Sequence, residues 1–349
     1  VSNPIDEEMM TTTENILTAS KLGVRMRTLG FYLPGHAIKL DTIKMSPHLR
    51  ARLGDLGQEF TYQSDESSTE LALCAAKDAM AQANLAPENI GLVISAPTLL
   101  TSYGFEIPAI GIRAALGLNN ADCLNIAQGC VGFLAAMRLA AHFLKSEPNR
   151  GDVLVVTACK ASTLTENFSH GAFFWGDAGA ACIVTTEPGR GLHVEAYGEK
   201  SSTKDWGAMR LRHGDSVSYA SCSPAQDLRI TVNFTDERAQ ADYVMGEQER
   251  CGALIDSLLA AGGLSDADIN AVLLPSIGKN RVPLLLAGHK SLQAKVKSDF
   301  RFAHMGGVDV LFFLSRILNK NPPSNESWYL ALTPAFTAQW GGLLLRHSG

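Results

Sequence analysis

Cys130 lies where a strand-like run, residues 123–127, breaks at Gly129 and a long apolar helical stretch, residues 131–144, begins. The first backbone N–H groups of a helix have no partner within it and carry partial positive charge. A thiol there is favoured as thiolate, and the same donors can hold a developing oxyanion. That is the chemistry of a covalent acyl-enzyme. Free cysteine is also among the most buried residue types, and the chain has seven. Cys74, Cys159, Cys182 and Cys251 sit inside apolar runs and read as core fillers, whereas Cys130 has Gly129 before it and Gly132 two residues after it. Nucleophile and buried filler both remain open for it on local features.

A thiol at such a junction needs a rigid frame, and the pattern around it supplies one. Strand-like residues 90–95 and 153–158 alternate with helical residues 68–83 and 109–116, the rhythm of a parallel sheet covered on both faces. After Pro188-Gly189-Arg190-Gly191 the pattern begins again: helical 243–261, strand-like 269–275, helical 310–318, then strand-like 328–332 and 341–345. Two stretches of similar order imply an α/β fold made by internal duplication, residues 21–190 carrying Cys130 and residues 191–349 forming the second half. Residues 1–20, polar and with Asp6, Glu7 and Glu8, read as a loose arm, and the missing initiator Met as a sign of processing. The irregular residues 201–227 read as a lid or binding loop.

With 349 residues, 46% hydrophobic and 19% charged, the chain can bury a large core, and a formal net charge of −5 gives no reason to expect nucleic acid or an anionic membrane as partner. No apolar run reaches membrane-spanning length, and the acidic N-terminus is the wrong pattern for a secretory signal. The odd cysteine count, without CxxC or a cysteine–histidine cluster of metal-ligand spacing, indicates neither a disulfide framework nor a zinc site. A cytoplasmic protein is expected.

Four segments, in order, resemble the β-ketoacyl-acyl-carrier-protein synthase III family of the thiolase superfamily, over about residues 24–346. They are Asp65-Glu66 before the helix from Ser68, Leu116-Gly117-Leu118, Leu124-Asn125-Ile126-Ala127-Gln128-Gly129-Cys130-Val131-Gly132-Phe133, and Trp175-Gly176-Asp177-Ala178-Gly179-Ala180-Ala181. The resemblance implies a thiolase-like five-layered αβαβα fold of two duplicated halves, with Cys130 as nucleophile. It also implies no metal and no tightly bound cofactor, the donor being an acyl-phosphopantetheine thioester on acyl carrier protein or coenzyme A. Family members are dimers, so a homodimer is expected and a heterodimer is an alternative. Tyr103, Phe105 and Ile107 are the side chains near the loop that reaches the partner's pocket, with ordinary interface packing the competing role for each.

Condensing members of that family use a histidine and an asparagine on the malonyl thioester. Here Leu274-Pro275-Ser276-Ile277-Gly278-Lys279-Asn280-Arg281 resembles the histidine segment with Ser276 at the histidine position. Phe302-Ala303-His304-Met305-Gly306-Gly307-Val308-Asp309 resembles the asparagine segment with His304 at the asparagine position. The pattern is similar to an atypical, acyl-transferring branch in which Cys, His and Asp form a triad. Histidine suits the task of taking a proton from an acceptor, and Asp309 would orient it. The five-residue spacing demands a turn at Gly306-Gly307 that places Asp309 near a helix start, where a capping role competes.

The resemblance further implies that Arg281 and Lys279 face the carrier protein or pantetheine, with a solvated surface pair the alternative, and that Ser276 faces the substrate pocket. Cys130 N–H, with Phe336 or Thr337 N–H, would form the oxyanion hole. Asp177 reads as a support for the nucleophile loop. Trp206 and His213 are candidates for the pocket of a small-molecule acceptor; His142 and His289 read as structural, and His170 has no evident partner. The reading is an acyltransferase of secondary metabolism passing an acyl group from Cys130 to an O-, N- or C-nucleophile. Its rivals are a decarboxylative priming synthase and a non-catalytic partner subunit.

Overall fold

The computed structural model describes residues 20–99, 106–162, 168–169, 173–203, 205, 209–210, 233–234, 237–320, 326–335 and 337–348. In chain order its principal elements are β1 (Ser20–Tyr32), α1 (Pro47–Leu56), α2 (Ser68–Ala83), β2 (Ile90–Ser95), α3 (Pro108–Leu116), β3 (Asp122–Asn125), α4 (Gly132–Ser146), β4 (Asp152–Cys159), β5 (Ala178–Thr185), β6 (Gly191–Ser201), α5 (Glu237–Gly262), β7 (Ile269–Leu273), α6 (Val308–Lys320), β8 (Ser327–Ala335) and β9 (Gln339–Ser348). The nine strands form one sheet in the order β7-β8-β9-β6-β1-β5-β4-β2-β3.

Outward from the antiparallel β1–β6 seam the two arms follow one rule: β1-β5-β4-β2-β3 on one side, β6-β9-β8-β7 on the other. A bridge between Val272 and Val296 stands where β3 stands in the first arm. The outer pairs are parallel and the inner pairs antiparallel, so the sheet is mixed rather than the parallel one the alternation of elements implies. The sequence reading passes over β1 and β6. Their signal is a period of two, Leu22, Val24 and Met26 in β1 and Leu192, Val194 and Ala196 in β6, all buried.

Strands with both faces covered make three apolar clusters. Val153 and Val155 of β4 join Phe133 and Met137 of α4 and Leu311 of α6 in a central cluster. Leu154 and Val156, pointing the other way, pack with Leu71 and Ala75 of α2 and Ile112 of α3. In the second arm Tyr329 and Ala331 of β8 face the same central cluster, while Leu330 and Leu332 meet Leu254, Ile255 and Leu258 of α5. Helices therefore lie outside each arm and between them, in five layers, and α4 and α6 are the central pair. Among the described residues no helix is long and apolar enough to cross a membrane.

The outer helix α2 starts from a capping box, Ser67 Oγ accepting the Glu70 N–H at 3.2 Å and Glu70 Oε2 accepting the Ser67 N–H at 2.7 Å. It then lies directly on the sheet backbone: a Cβ at Gly179 of β5 would stand 2.1 Å from the Leu71 carbonyl oxygen, and one at Gly30 of β1 2.3 Å from that of Ala75. Gly179→Ala must push α2 off the sheet. We expect a loss of about 2–3 kcal/mol of stability, read as a lower denaturant midpoint, and an unchanged midpoint would mean that α2 is not seated this closely.

Candidate active site

After β3, Gly129 adopts a left-handed backbone (φ 55°) and Gly129–Val131 form one 3-10 turn that runs into α4. Cys130 thus precedes the α-helix instead of sitting in its first turn, because the left-handed glycine tightens the chain before regular winding begins. Its side chain is buried, 5% exposed. The filler cysteines differ from it in setting: burial pushes the thiols of Cys159, Cys182 and Cys251 up.

From the far side of the central layer His304 Nε2 comes to 3.2 Å from Cys130 Sγ, and His304 Nδ1 lies 2.6 Å from Asp309 Oδ2. The imidazole is held by its own backbone, its N–H donating to Phe174 O at 2.8 Å and its carbonyl accepting from Gly176 N–H at 2.9 Å. The Trp175 ring lies 4.7 Å from it and the Phe173 ring 5.1 Å away, edge-on. Asp309, the second residue of α6, accepts two backbone donors besides, Ser276 N–H on Oδ2 at 2.7 Å and Met305 N–H on Oδ1 at 2.9 Å. One carboxylate therefore both orients the histidine and fastens the turn before the helix.

That turn requires its glycines. Gly306 has φ 63°, and a Cβ on it would stand 2.1 Å from Thr98 Oγ1. Gly307 N–H donates to the same hydroxyl at 2.9 Å, and a Cβ on Gly307 would be 3.6 Å from the Cys130 carbonyl oxygen. The starts of α4 and α6 thus abut, Gly307 lying against Phe133 and the Cys130 carbonyl. Burial disfavours charge on His304, but Asp309 and Cys130 outweigh it and raise the imidazole to about 10. Imidazolium facing sulfur favours thiolate. Because the folded value lies above the roughly 6.5 of free imidazole, the stabilisation from the charged ring is complete below that pH and is lost as pH rises through about 10.

His304 also lines a cavity of about 180 Å³, with Phe173, Tyr243, Glu247, Arg281 and Ala335. Arg281 is tied to the buried carboxylate of Glu247, whose pKa burial raises against the lowering pull of Arg281, so it meets the cavity as half of an ion pair. Lys279 does not share that cavity; it is exposed in a separate groove with Lys39 and Asp41. Ser276 does not face it either. Its side chain is fully buried and its hydroxyl donates to the Phe302 carbonyl, since at this depth an unpaired hydroxyl would be costly.

Ile107, at the start of α3, is 48% exposed and is not among the residues that line this cavity. Thr337 lies over Gly129, its Cγ2 3.8 Å from the place of a Cβ there. Tyr103, Phe105, His170, Trp206, His213 and Phe336 lie outside the described residues. His142 is exposed, and His289 is bonded to Asp266 at 2.8 Å away from the cavity. Asp177 accepts from Ser64, Ala161 and Ser162 N–H and from Lys160 Nζ, tying the approach to α2 to the turn after β4 rather than touching the nucleophile. Among the described residues no group of three or more His, Cys, Asp and Glu is arranged to hold a metal ion. The sequence reading missed Thr98 and Phe173, which reach the Gly306-Gly307 turn and His304 only across the fold, and Gln58, which reaches the neighbouring Ser276 and Phe174; none carries a local signal.

Residues 124–199 match the family model described as 3-oxoacyl-[acyl-carrier-protein] synthase III. The β-ketoacyl-[acyl-carrier-protein] synthase III of Aquifex aeolicus is 28% identical over 225 residues, 62% of this chain and 69% of that protein. The Bacillus pumilus enzyme is 31% identical over 171 residues, 47% of this chain and 54% of its own length. The chain thus spans about half the length of some of the curated relatives it matches. Among solved structures, ChlB3, described as an acyltransferase, aligns with TM-score 0.81 at 20% identity over 93% of this chain and 98% of its own. The Aquifex aeolicus synthase III aligns with TM-score 0.75 at 20% identity over 93% and 100%. A variant of Xanthomonas campestris OleA aligns with TM-score 0.76 at 17% identity over 92% and 98%. At these identities the structures speak to the fold.

The His304–Cys130 contact makes the thiol's reactivity depend on the imidazolium. In His304→Ala, alkylation of Cys130 by iodoacetamide at about pH 7 should slow by roughly tenfold or more, with the gap closing toward about pH 10. Equal rates at neutral pH would show that the ring does not support the thiolate.

Proposed function

We propose that this chain, similar to synthase III enzymes in sequence and sharing their fold, is an acyltransferase of natural-product metabolism that carries its acyl group on Cys130. The Cys130 thiolate attacks the carbonyl of an acyl-phosphopantetheine thioester on acyl carrier protein or coenzyme A. The tetrahedral oxyanion rests on Cys130 N–H, with a donor from the turn at Thr337 as its partner. Collapse breaks the donor's C–S bond, and the departing thiolate takes the proton of the His304 imidazolium. The product is an acyl thioester on Cys130.

Acylation removes the negative charge that, with Asp309, raised the histidine. The ring is then neutral when the acceptor arrives. It takes the proton of an acceptor hydroxyl, amine or activated carbon, which attacks the Cys130 thioester, and expulsion of the Cys130 thiolate restores the ion pair. The observation that carries this reading is the aligned Cys130, His304 and Asp309 beside a Ser276 whose hydroxyl, N–H and carbonyl all bind protein groups. A Ser276 so engaged offers no second donor to a malonyl enolate, which weighs against decarboxylative condensation, and the assembled triad weighs against a silent subunit.

Arg281, which lines the cavity together with Arg52, is a cation that fits a pantetheine arm or carrier there. A dimer fits the exposed edge strand β3, where Leu124 is 38% exposed beside Ile107 and Ile110 of α3 at 48% and 50%.

Mass spectrometry tests the reading. Incubated with a panel of acyl thioesters, the protein should gain one acyl mass on Cys130, the Cys130→Ala variant none, and His304→Ala should transfer on the order of 10²-fold or more slowly. Chased with carboxyl-labelled malonyl carrier protein, the acyl-enzyme should persist. Release of labelled carbon dioxide with a β-ketoacyl product would replace acyl transfer by condensation.

A further inference from the structure

Gln58 follows the left-handed Gly57 that ends α1 and is 2% exposed. Among the described residues its side chain hydrogen-bonds to backbone groups of two segments far away in sequence. Nε2 donates to the Ser276 carbonyl at 2.6 Å and more weakly to that of Phe174 at 3.4 Å, and Oε1 accepts the Phe174 N–H at 3.0 Å. Both segments hold the histidine. Ser276 N–H binds Asp309 Oδ2, Phe174 O receives the His304 N–H, and Phe173 and Trp175, on either side of Phe174, pack their rings on the imidazole. The backbone around Gln58 is anchored independently: Glu59 and Phe60 N–H donate to Arg301 O, Ala303 N–H to Phe60 O, and Thr61 Oγ1 to Trp175 O.

The geometry points to Gln58 as a positioning residue for the His304–Asp309 pair. It never touches the reacting atoms. It clamps the Ser276 backbone, which aims an N–H at the Asp309 carboxylate, to the segment 173–175 that carries the rings around His304. The Ser276 N–H lies in the peptide plane shared with Pro275, whose carbonyl accepts the Ile277 N–H at 2.8 Å. Gln58 holds the following plane through the Ser276 carbonyl and Phe302 holds the Ser276 hydroxyl, so the turn from Pro275 to Ile277 that sets the direction of the N–H is fixed from its far side. Removing the amide leaves a buried carbonyl and a buried N–H without their partner and frees the Ser276 peptide to turn. Asp309 then loses a donor, and His304 the fixed counter-charge that keeps it protonated beside the sulfur.

The inference rests on the triad reading but not on the identity of donor or acceptor, so the test reads Cys130 itself. In Gln58→Leu the rate of Cys130 alkylation at about pH 7 should fall roughly tenfold, the scale of a misplaced catalytic group, and recover toward about pH 10. Gln58→Glu keeps the acceptor for Phe174 N–H and loses the donor to Ser276 O, and should fall in the same direction. It carries the test if the leucine variant does not fold, as judged by circular dichroism. In an Asp309→Asn background, where the carboxylate is already gone, Gln58→Leu or Gln58→Glu should change the rate less than about twofold. Wild-type alkylation in the folded single variant, or an equal loss with and without Asp309, would overturn the positioning role and leave Gln58 a general support. Failure of acyl transfer with normal alkylation effects would instead count against the proposed reaction.

Discussion

A carboxylate with no exposed surface is the constraint on which this site depends. Asp309 sits in the first turn of α6 and accepts from His304, Ser276 and Met305. A buried charge of this kind persists only when it is met by hydrogen-bond donors, so it sets the positions of two segments, His304-Met305 and Ser276. The charge also determines what the histidine can be: next to Asp309 and Cys130 the ring is held protonated despite burial. Removing any one partner would strand a charge in the core, a cost of about 3–5 kcal/mol.

The Cys130 sulfur, the His304 imidazole and the Asp309 carboxylate stand in a row. Two helix N-termini, α4 after the Cys130 turn and α6 after the Gly306-Gly307 turn, begin beside that row, each equivalent to roughly half a positive charge. They can approach because Gly306 leaves room for the Thr98 side chain and Gly307 lies against the Cys130 carbonyl. A side chain at Gly306 would drive into Thr98, and one at Gly307 would press on Thr157 and on Phe133 of α4.

Ser276 illustrates how one position can change a site's chemistry without entering the reaction. A residue reaching toward substrate there would have been a second polar group. Instead all its polar atoms turn inward, one to Phe302, one to Asp309 and one to Gln58, and the position becomes part of the scaffold around His304. His304 faces the cavity together with the Glu247–Arg281 pair, among both polar residues such as Gln240 and Asn280 and apolar ones such as Leu56 and Val244.

Much of the frame was legible in the chain. The fully apolar runs of β2 and β4 and the helices α2, α3, α4 and α6 carry their periodicity locally, and glycine on either side of Cys130 marked the turn. Gly306-Gly307 likewise required a turn before Asp309. The mixed pairing was not legible, because a strand's own residues do not state the direction of its neighbour, and β1 and β6 join arms more than 150 residues apart in sequence. Nor did sequence decide whether Asp309 caps a helix or orients a histidine, whether Ser276 faces substrate or core, or that Gln58 matters at all. Residue type and local period are properties of a segment, whereas a hydrogen bond between residues 58 and 276 exists only once the sheet and its central helices have brought them within 2.6 Å.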